Sequence, residues 1–135
     1  MVDRKESLMG DERKRVLIVD DDTELINVMR IYFQRSGFQA EVAESGRKAL
    51  ELCDSFKPDA MILDILMPKM DGVKVCQAIR TEKGNTSMPI IALTGFHKEK
   101  TKREIIGAGA NLYLTKPIDM SKLVKHVKDL LPPDE

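Results

Sequence analysis

The chain has 135 residues, 42% hydrophobic and 33% charged, a composition that suits one soluble domain able to bury a core without a disulfide or a structural metal. Lys and Arg number 22, as do Asp and Glu, so the formal net charge is zero and offers no general attraction to nucleic acid or to an anionic membrane. No apolar run approaches the roughly 20 residues of a membrane span, and the charged N-terminus lacks the apolar stretch of a signal peptide, which implies a cytoplasmic protein.

Residues 1–14 are rich in Asp, Glu, Lys and Arg without any apolar period and read as a disordered tail. Val16 to Val19 is a short aliphatic run that stops at three aspartates, the pattern of a buried strand, β1. Over Thr23 to Arg35, Leu25, Val28, Met29 and Tyr32 recur at helical spacing and Gly37 follows as a stop, giving α1, with Asp22 as its cap. Gln39 to Ala43 is β2. Ser45 then caps α2, whose expected buried stripe is Ala49, Leu52, Cys53 and Phe56, and Pro58 ends it.

Ala60 to Leu63 is β3, stopped by Asp64. A loop containing Pro68 leads to α3, which begins at Asp71 and carries Val75, Cys76 and Ile79 inward. Ile90 to Leu93 is β4, stopped by Thr94, and a short helix from about Lys98 is α4. Its KEKTKRE run over 98–104 mixes both signs of charge and reads as a solvated face. Leu112 to Leu114 is β5, followed by Thr115, Lys116 and Pro117. Asp119 caps α5, Ile118 and Leu123 can form a hydrophobic staple, and Leu123, Val124, Val127, Leu130 and Leu131 make one apolar face before Pro132. Cys53 and Cys76 lie outside any CxxC spacing and are expected to be buried free thiols. His97 and His126 each stand without the neighbouring His or Cys that ligation wants.

Strands alternating with helices predict an α/β fold, a doubly wound parallel sheet covered on both faces. One domain is expected over 15–131, with 132–135 a tail or the start of a linker. In such a sheet, ligands bind beyond the C-terminal ends of the strands. Those ends carry Asp20 and Asp21 after β1, Asp64 after β3, Thr94 after β4 and Lys116 after β5. If the strands are neighbours, three carboxylates, a hydroxyl and an ammonium converge. Carboxylates so close raise one another's pKa unless a cation holds them ionised, and a hard divalent ion such as Mg²⁺ is the natural partner. The set suits phosphoryl transfer, which depends on positioning and on neutralising oxygen charge.

Four blocks carry a family resemblance: VLIVDDD at 16–22, LDILMPKMDG at 63–72, ALTG at 92–95 and YLTKP at 113–117. Each is weak alone, but in this order and spacing the chain resembles response-regulator receiver domains over about residues 15–131. The resemblance implies a flavodoxin-like (βα)5 fold with strand order 2-1-3-4-5, the order of chemotaxis receivers. It implies Asp64 as phosphoacceptor, Mg²⁺ (or Mn²⁺) held by Asp20, Asp21, Asp64 and the backbone carbonyl of Leu66, and Lys116 and Thr94 as partners of the phosphoryl oxygens. It further implies Thr94 and Tyr113 as the switch, a cis bond from Lys116 to Pro117, and Leu66 and Phe96 at the two positions that govern the access of water to the acyl phosphate. An aliphatic and an aromatic side chain there can only cover the phosphoryl group if Phe96 points inward, whereas a Phe on an exposed loop could instead form a partner contact. The donor would be a phosphohistidine on a sensor histidine kinase or histidine phosphotransfer protein. The signal would leave through α4, β5 and α5 to a downstream protein, with a dimer formed on phosphorylation as a further arrangement and with neither nucleic acid nor membrane as a direct partner.

Two other readings fit less well. A phosphohydrolase of the haloacid dehalogenase type also uses an Asp nucleophile with Mg²⁺, but it wants Asp-x-Asp-x-Thr or Val, and Glu24 stands at the fifth position. A pseudo-receiver that never carries phosphate would not need every one of these side chains. A receiver is a signalling domain that catalyses only its own phosphorylation and dephosphorylation.

Overall fold

In the computed structural model, which describes residues 12–67, 71–95 and 97–133, every expected apolar run forms a strand and every expected amphipathic stretch a helix. The elements are β1 Arg15–Val19, α1 Thr23–Arg35, β2 Gln39–Ala43, α2 Gly46–Ser55, β3 Ala60–Leu63, α3 Gly72–Gln77, β4 Ile90–Thr94, α4 Glu99–Gly107, β5 Leu112–Thr115 and α5 Met120–Leu130. A wider π-helical turn, Ala78–Glu82, prolongs α3. Of the expected tail, residues 1–11 lie outside the described residues, as do Pro68, Phe96 and residues 134–135.

The helices begin where polar side chains take up the first free N–H groups. Asp22 Oδ1 accepts from Leu25 N at 3.1 Å and Ser45 Oγ from Lys48 N at 3.2 Å. Asp71 Oδ1 accepts from Val73 N at 2.7 Å and Asp119 Oδ1 from Ser121 N at 2.8 Å. Asp22, Ser45 and Asp119 are the caps that the sequence predicts, and Asp71, expected only as the start of α3, caps that helix in the same way.

The strands pair in parallel in the order β2-β1-β3-β4-β5, the flavodoxin-like order that the resemblance implies. Alternate side chains feed two cores. Leu17, Val19, Met61, Leu63, Ile90 and Ala92 meet Ala49, Val75, Cys76, Ile79 and Ile105 under α2, α3 and α4. Val16, Ile18, Ile62, Ile91 and Leu93 meet Ile26, Met29, Phe33, Leu123, Val124 and Val127 under α1 and α5. Helices on both faces are what right-handed parallel crossovers produce when the chain moves first one way from β1 and then the other.

Two details depart from expectation. The buried face of α1 is Ile26, Met29 and Phe33, whereas Val28 is 59% and Tyr32 37% exposed. Apolar residues nearly surround this helix, so two faces offset by one position fit its periodicity. Phe33 decides between them by packing edge-on against Phe38, with ring centroids 5.3 Å apart. Cys76 is buried as expected, but Cys53 is only partly so, together with its stripe neighbours Leu52 and Phe56.

Gly72 opens α3 against the segment that follows β3, and its N–H donates to Ile65 O at 2.8 Å. A Cβ at this position would sit 2.6 Å from Ile65 Cα and 2.7 Å from Asp64 O. Backbone atoms of a loop leaving a central strand cannot yield as a side-chain tip can. Gly72→Ala should therefore lower stability by about 1–3 kcal/mol, the usual cost of overpacking, measured by urea denaturation.

Candidate functional site

Among the described residues, the buried polar side chains are Asp20, Asp64 and Thr94. All three stand at the C-terminal ends of central strands. The β1–β3 register pairs Val19 with Leu63, so the two aspartates follow side by side at the position where strand order reverses. The ladder runs on past the strands: Asp64 N donates to Val19 O at 2.8 Å, Asp20 N to Ala43 O at 3.1 Å, and Lys116 N to Thr94 O at 2.7 Å. Backbone pairing therefore fixes each of these side chains at its root.

The Lys116 ammonium enters this group unequally. Its Nζ donates to Asp20 Oδ2 at 2.6 Å and lies 4.0 Å from Asp64 Oδ2. Asp20 Oδ1 also accepts from Asp22 N at 3.0 Å, whereas Asp64 Oδ1 has the Leu66 N–H at 3.2 Å. The electrostatics follow from this difference. Burial first, and then the negative charge of Asp20, push the Asp64 carboxyl up to about 6, against the opposing pull of Lys116 and the Leu66 N–H. For Lys116, burial works against the charged form, but the Asp20 hydrogen bond and the charges of Asp64, Asp20 and Asp22 outweigh it and hold the ammonium above its usual range.

Asp21 is exposed and completes the cluster: carboxylate oxygens of Asp20, Asp21 and Asp64 lie within 4.8 Å of one another, an arrangement that could hold a metal ion. The sequence-predicted residues Asp20, Asp21, Asp64, Thr94 and Lys116 are thus brought to one end of the sheet. The bond from Lys116 to Pro117 is cis, as the resemblance implies. Leu66 follows on the loop, and its residue is 54% exposed. Phe96 lies outside the described residues. Beside Lys116 opens an apolar groove of about 390 Å³ between Leu25, Met29 and Leu93 on one side and Pro117, Ile118 and Met120 on the other. A larger depression of about 580 Å³, lined by Arg13, Phe38, Lys128 and Pro132 among others, lies toward the N-terminal ends of β1 and β2 and contains none of these groups. Chemistry rather than volume identifies the site.

Tyr113 is half-buried on β5, set in the sheet by the pairing of Ala92 with Tyr113. Its ring meets that of His97 edge to face, with centroids 5.6 Å apart. Sequence reasoning gave His97 a surface or packing role rather than ligation, without a partner. No local pattern joins it to a residue on the next strand, and only β4–β5 pairing makes the contact visible. The close approach of Gly72 to Asp64 was legible only as one letter of a block.

Comparison with known proteins agrees with this geometry. The sequence profile of the response regulator receiver domain matches residues 16–128. The chain is 33% identical over 117 residues to the DNA-binding dual master transcriptional regulator RpaA of Synechocystis sp., covering 87% of this chain and 48% of that protein. It is 34% identical over 118 residues to the alkaline phosphatase synthesis transcriptional regulatory protein PhoP of Bacillus subtilis, again covering 87% and 48%. The chain thus spans about half the length of these curated relatives. Among solved structures, the chemotaxis protein CheY4 of Vibrio cholerae aligns with a TM-score of 0.83 at 30% identity, covering 88% of this chain and 99% of that one. A CheY-like receiver domain protein from Methanospirillum hungatei aligns with a TM-score of 0.83 at 26% identity, covering 87% and 93%. With its strand order, its acidic cluster and its profile match over most of its length, the chain belongs to the response regulator receiver domains of two-component signalling.

Proposed function

We propose that this receiver accepts a phosphoryl group onto Asp64 from a phosphohistidine of a sensor histidine kinase or histidine phosphotransfer protein, and passes the change to a downstream protein through α4, β5 and α5. The observation that carries this reading is the convergence of Asp20, Asp64 and Thr94, the buried polar side chains among the described residues, with Lys116 at the switch point of the sheet. Fold stability does not ask for such a group, because burying carboxylates costs free energy that apolar residues would not.

Asp64 is the acceptor because, of the two buried carboxylates, it is the less committed. Asp20 is held by Lys116 and the Asp22 N–H, and Asp21 is exposed. An Asp64 oxygen attacks phosphorus while the phosphorus–nitrogen bond of the donor breaks, and the electron pair stays on the departing imidazole. Lys116 needs only a short movement from Asp20 to pair with a phosphoryl oxygen. Thr94 donates its hydroxyl to another oxygen, drawing the end of β4 toward the site and giving Tyr113 a reason to turn. The hard oxygen donors of Asp20, Asp21 and Asp64, with the Leu66 backbone carbonyl, fit Mg²⁺ or Mn²⁺. Bound there, the ion would offset the charge of the carboxylates and of the phosphoryl oxygens. The chain on this reading catalyses only its own phosphorylation and dephosphorylation and works in the cytoplasm. A dimer formed on phosphorylation is one form its output can take, and it needs neither nucleic acid nor membrane as a direct partner. Among the described residues no helix is long and apolar enough to cross a membrane.

Incubation with Mg²⁺ and acetyl phosphate should add one phosphoryl group, seen by intact mass, and Asp64→Asn should abolish the addition. Undiminished labelling of that variant would sink the assignment. With beryllofluoride as phosphoryl mimic, the largest NMR shifts outside the site should fall on Lys98 to Lys102, Tyr113 and Lys122 to Lys128. Shifts confined to the loop after Asp64 would count against an output through α4, β5 and α5.

The raised Asp64 carboxyl also makes a pH prediction. Its ordinary value is 3.8 and its value in the fold about 6, so between these limits the native state binds more protons than the unfolded chain and stability falls as pH rises. Above pH 6 the penalty is fully present. In metal-free buffer at pH 8, Asp64→Asn should be more stable than the parent by on the order of 2 kcal/mol, a gap that closes as pH falls to 4 and narrows when Mg²⁺ is added. Equal stability of the two proteins at pH 8, by urea denaturation, would falsify the uncompensated charge.

A further inference from the structure

We propose that His97, tethered by Glu99, is a positioning residue that holds the Tyr113 ring in the resting receiver and so sets how readily phosphorylation turns the switch; this rests on the phosphorylation reading above. His97 lies three residues beyond Thr94, on the segment that joins β4 to α4. Tyr113 comes from the neighbouring strand, and the two rings are 5.6 Å apart at 64°, the edge-to-face geometry in which the positive ring edge meets the negative face. On its other side, His97 Nε2 lies 3.2 Å from Glu99 Oε1. An ionised carboxylate can only accept, so this nitrogen donates. Glu99 is the first residue of α4. The contacts therefore run from the first turn of α4 through the imidazole to the aromatic ring on β5.

The side chains of His97 and Glu99 are 50% and 68% exposed, so core packing does not require an imidazole at this position. What the contact does is join two elements that the proposed switch must move past one another. When Thr94 approaches the phosphoryl group, the β4–α4 segment moves with it, and Tyr113 must leave the imidazole to turn. The ring contact is lost on switching and favours the resting arrangement, by an amount worth roughly 2- to 10-fold in the equilibrium for one aromatic pair.

Tyr32 and Tyr113 are the two tyrosines, and tryptophan is absent from the sequence, so Tyr32→Phe leaves Tyr113 as the sole tyrosine reporter. In that background, the Mg²⁺-loaded full chain is titrated with beryllofluoride while Tyr113 fluorescence and the NMR signals of its labelled ring are followed. His97→Ala should lower the midpoint roughly 2- to 10-fold. His97→Phe, which keeps an aromatic edge, should recover most of the parental midpoint, and Mg²⁺ affinity without beryllofluoride should be the same in all three proteins. An unchanged or raised midpoint in His97→Ala, or a His97→Phe protein that behaves like His97→Ala, overturns the role of the ring contact and leaves phosphorylation of Asp64 standing. A Tyr113 signal that stays silent while acetyl phosphate still labels Asp64 removes Tyr113 from the switch, and His97 with it. Failure to label Asp64 at all is a failure of the underlying reading, and intact mass tells the two apart.

Discussion

Two carboxyl groups, Asp20 and Asp64, sit next to each other with little access to water because parallel pairing of β1 with β3 leaves them no alternative. The pairing of Val19 with Leu63 and the hydrogen bond from Asp64 N to Val19 O fix their roots within one ladder spacing. A slip of β1 by one residue would exchange its two faces, sending Leu17 and Val19 out of one core and Val16 and Ile18 out of the other. The apolar interior of the sheet thus enforces the polar crowding at its end. Everything else at the site answers that crowding: Lys116 beside Asp20, the N–H groups of Asp22 and Leu66 on the carboxylates, and an oxygen cluster open enough at Asp21 to take a cation.

How much of this could be read from the sequence depends on whether the deciding interaction is local. The central strands β1, β3 and β4 were legible because each carries an uninterrupted run of four apolar residues ended by a polar one, and the helix starts because Asp22, Ser45, Asp71 and Asp119 cap N–H groups two or three residues ahead. The rotation of α1 was not legible. Val28 and Tyr32 suit an inward face as well as Ile26 and Phe33 do, and the choice is made by contact with Phe38 and with strands that the helix itself does not contain. The partial exposure of Cys53 has the same origin, since α2 covers the edge of the sheet near β2 rather than its middle.

The candidate site divides in the same way. Asp20, Asp64, Thr94 and Lys116 could be named because a doubly wound sheet collects whatever follows its strands, so their position in the chain was enough. The partition of Lys116 between Asp20 and Asp64 could not, because it turns on 2.6 Å against 4.0 Å in side-chain reach. The contact of His97 with Tyr113 was equally hidden, as it links a loop residue to a strand 16 positions later in the numbering through tertiary structure alone.

The unequal placement of Lys116 has a consequence for how the proposed switch would work. One ammonium cannot stay on Asp20 and also meet a phosphoryl oxygen on Asp64, and a phosphoryl group adds roughly −1.5 to −2 charges to a site already rich in carboxylates. Were Lys116 to move to the phosphoryl group, Asp20 would lose its nearest positive partner among the described side chains and would depend on a bound cation instead. The remaining phosphoryl oxygens need donors, and the buried side chain that can supply one from the adjoining strand is Thr94. Its backbone is tied to Lys116 through the Lys116 N to Thr94 O bond and to β5 through the pairing with Thr115. On the proposed reading, the electrostatic demand at Asp64 would therefore reach the β4 and β5 strand ends through two linked residues, Thr94 and Lys116. It would arrive where the rings of Tyr113 and His97 meet, between β5 and the segment that leads into α4.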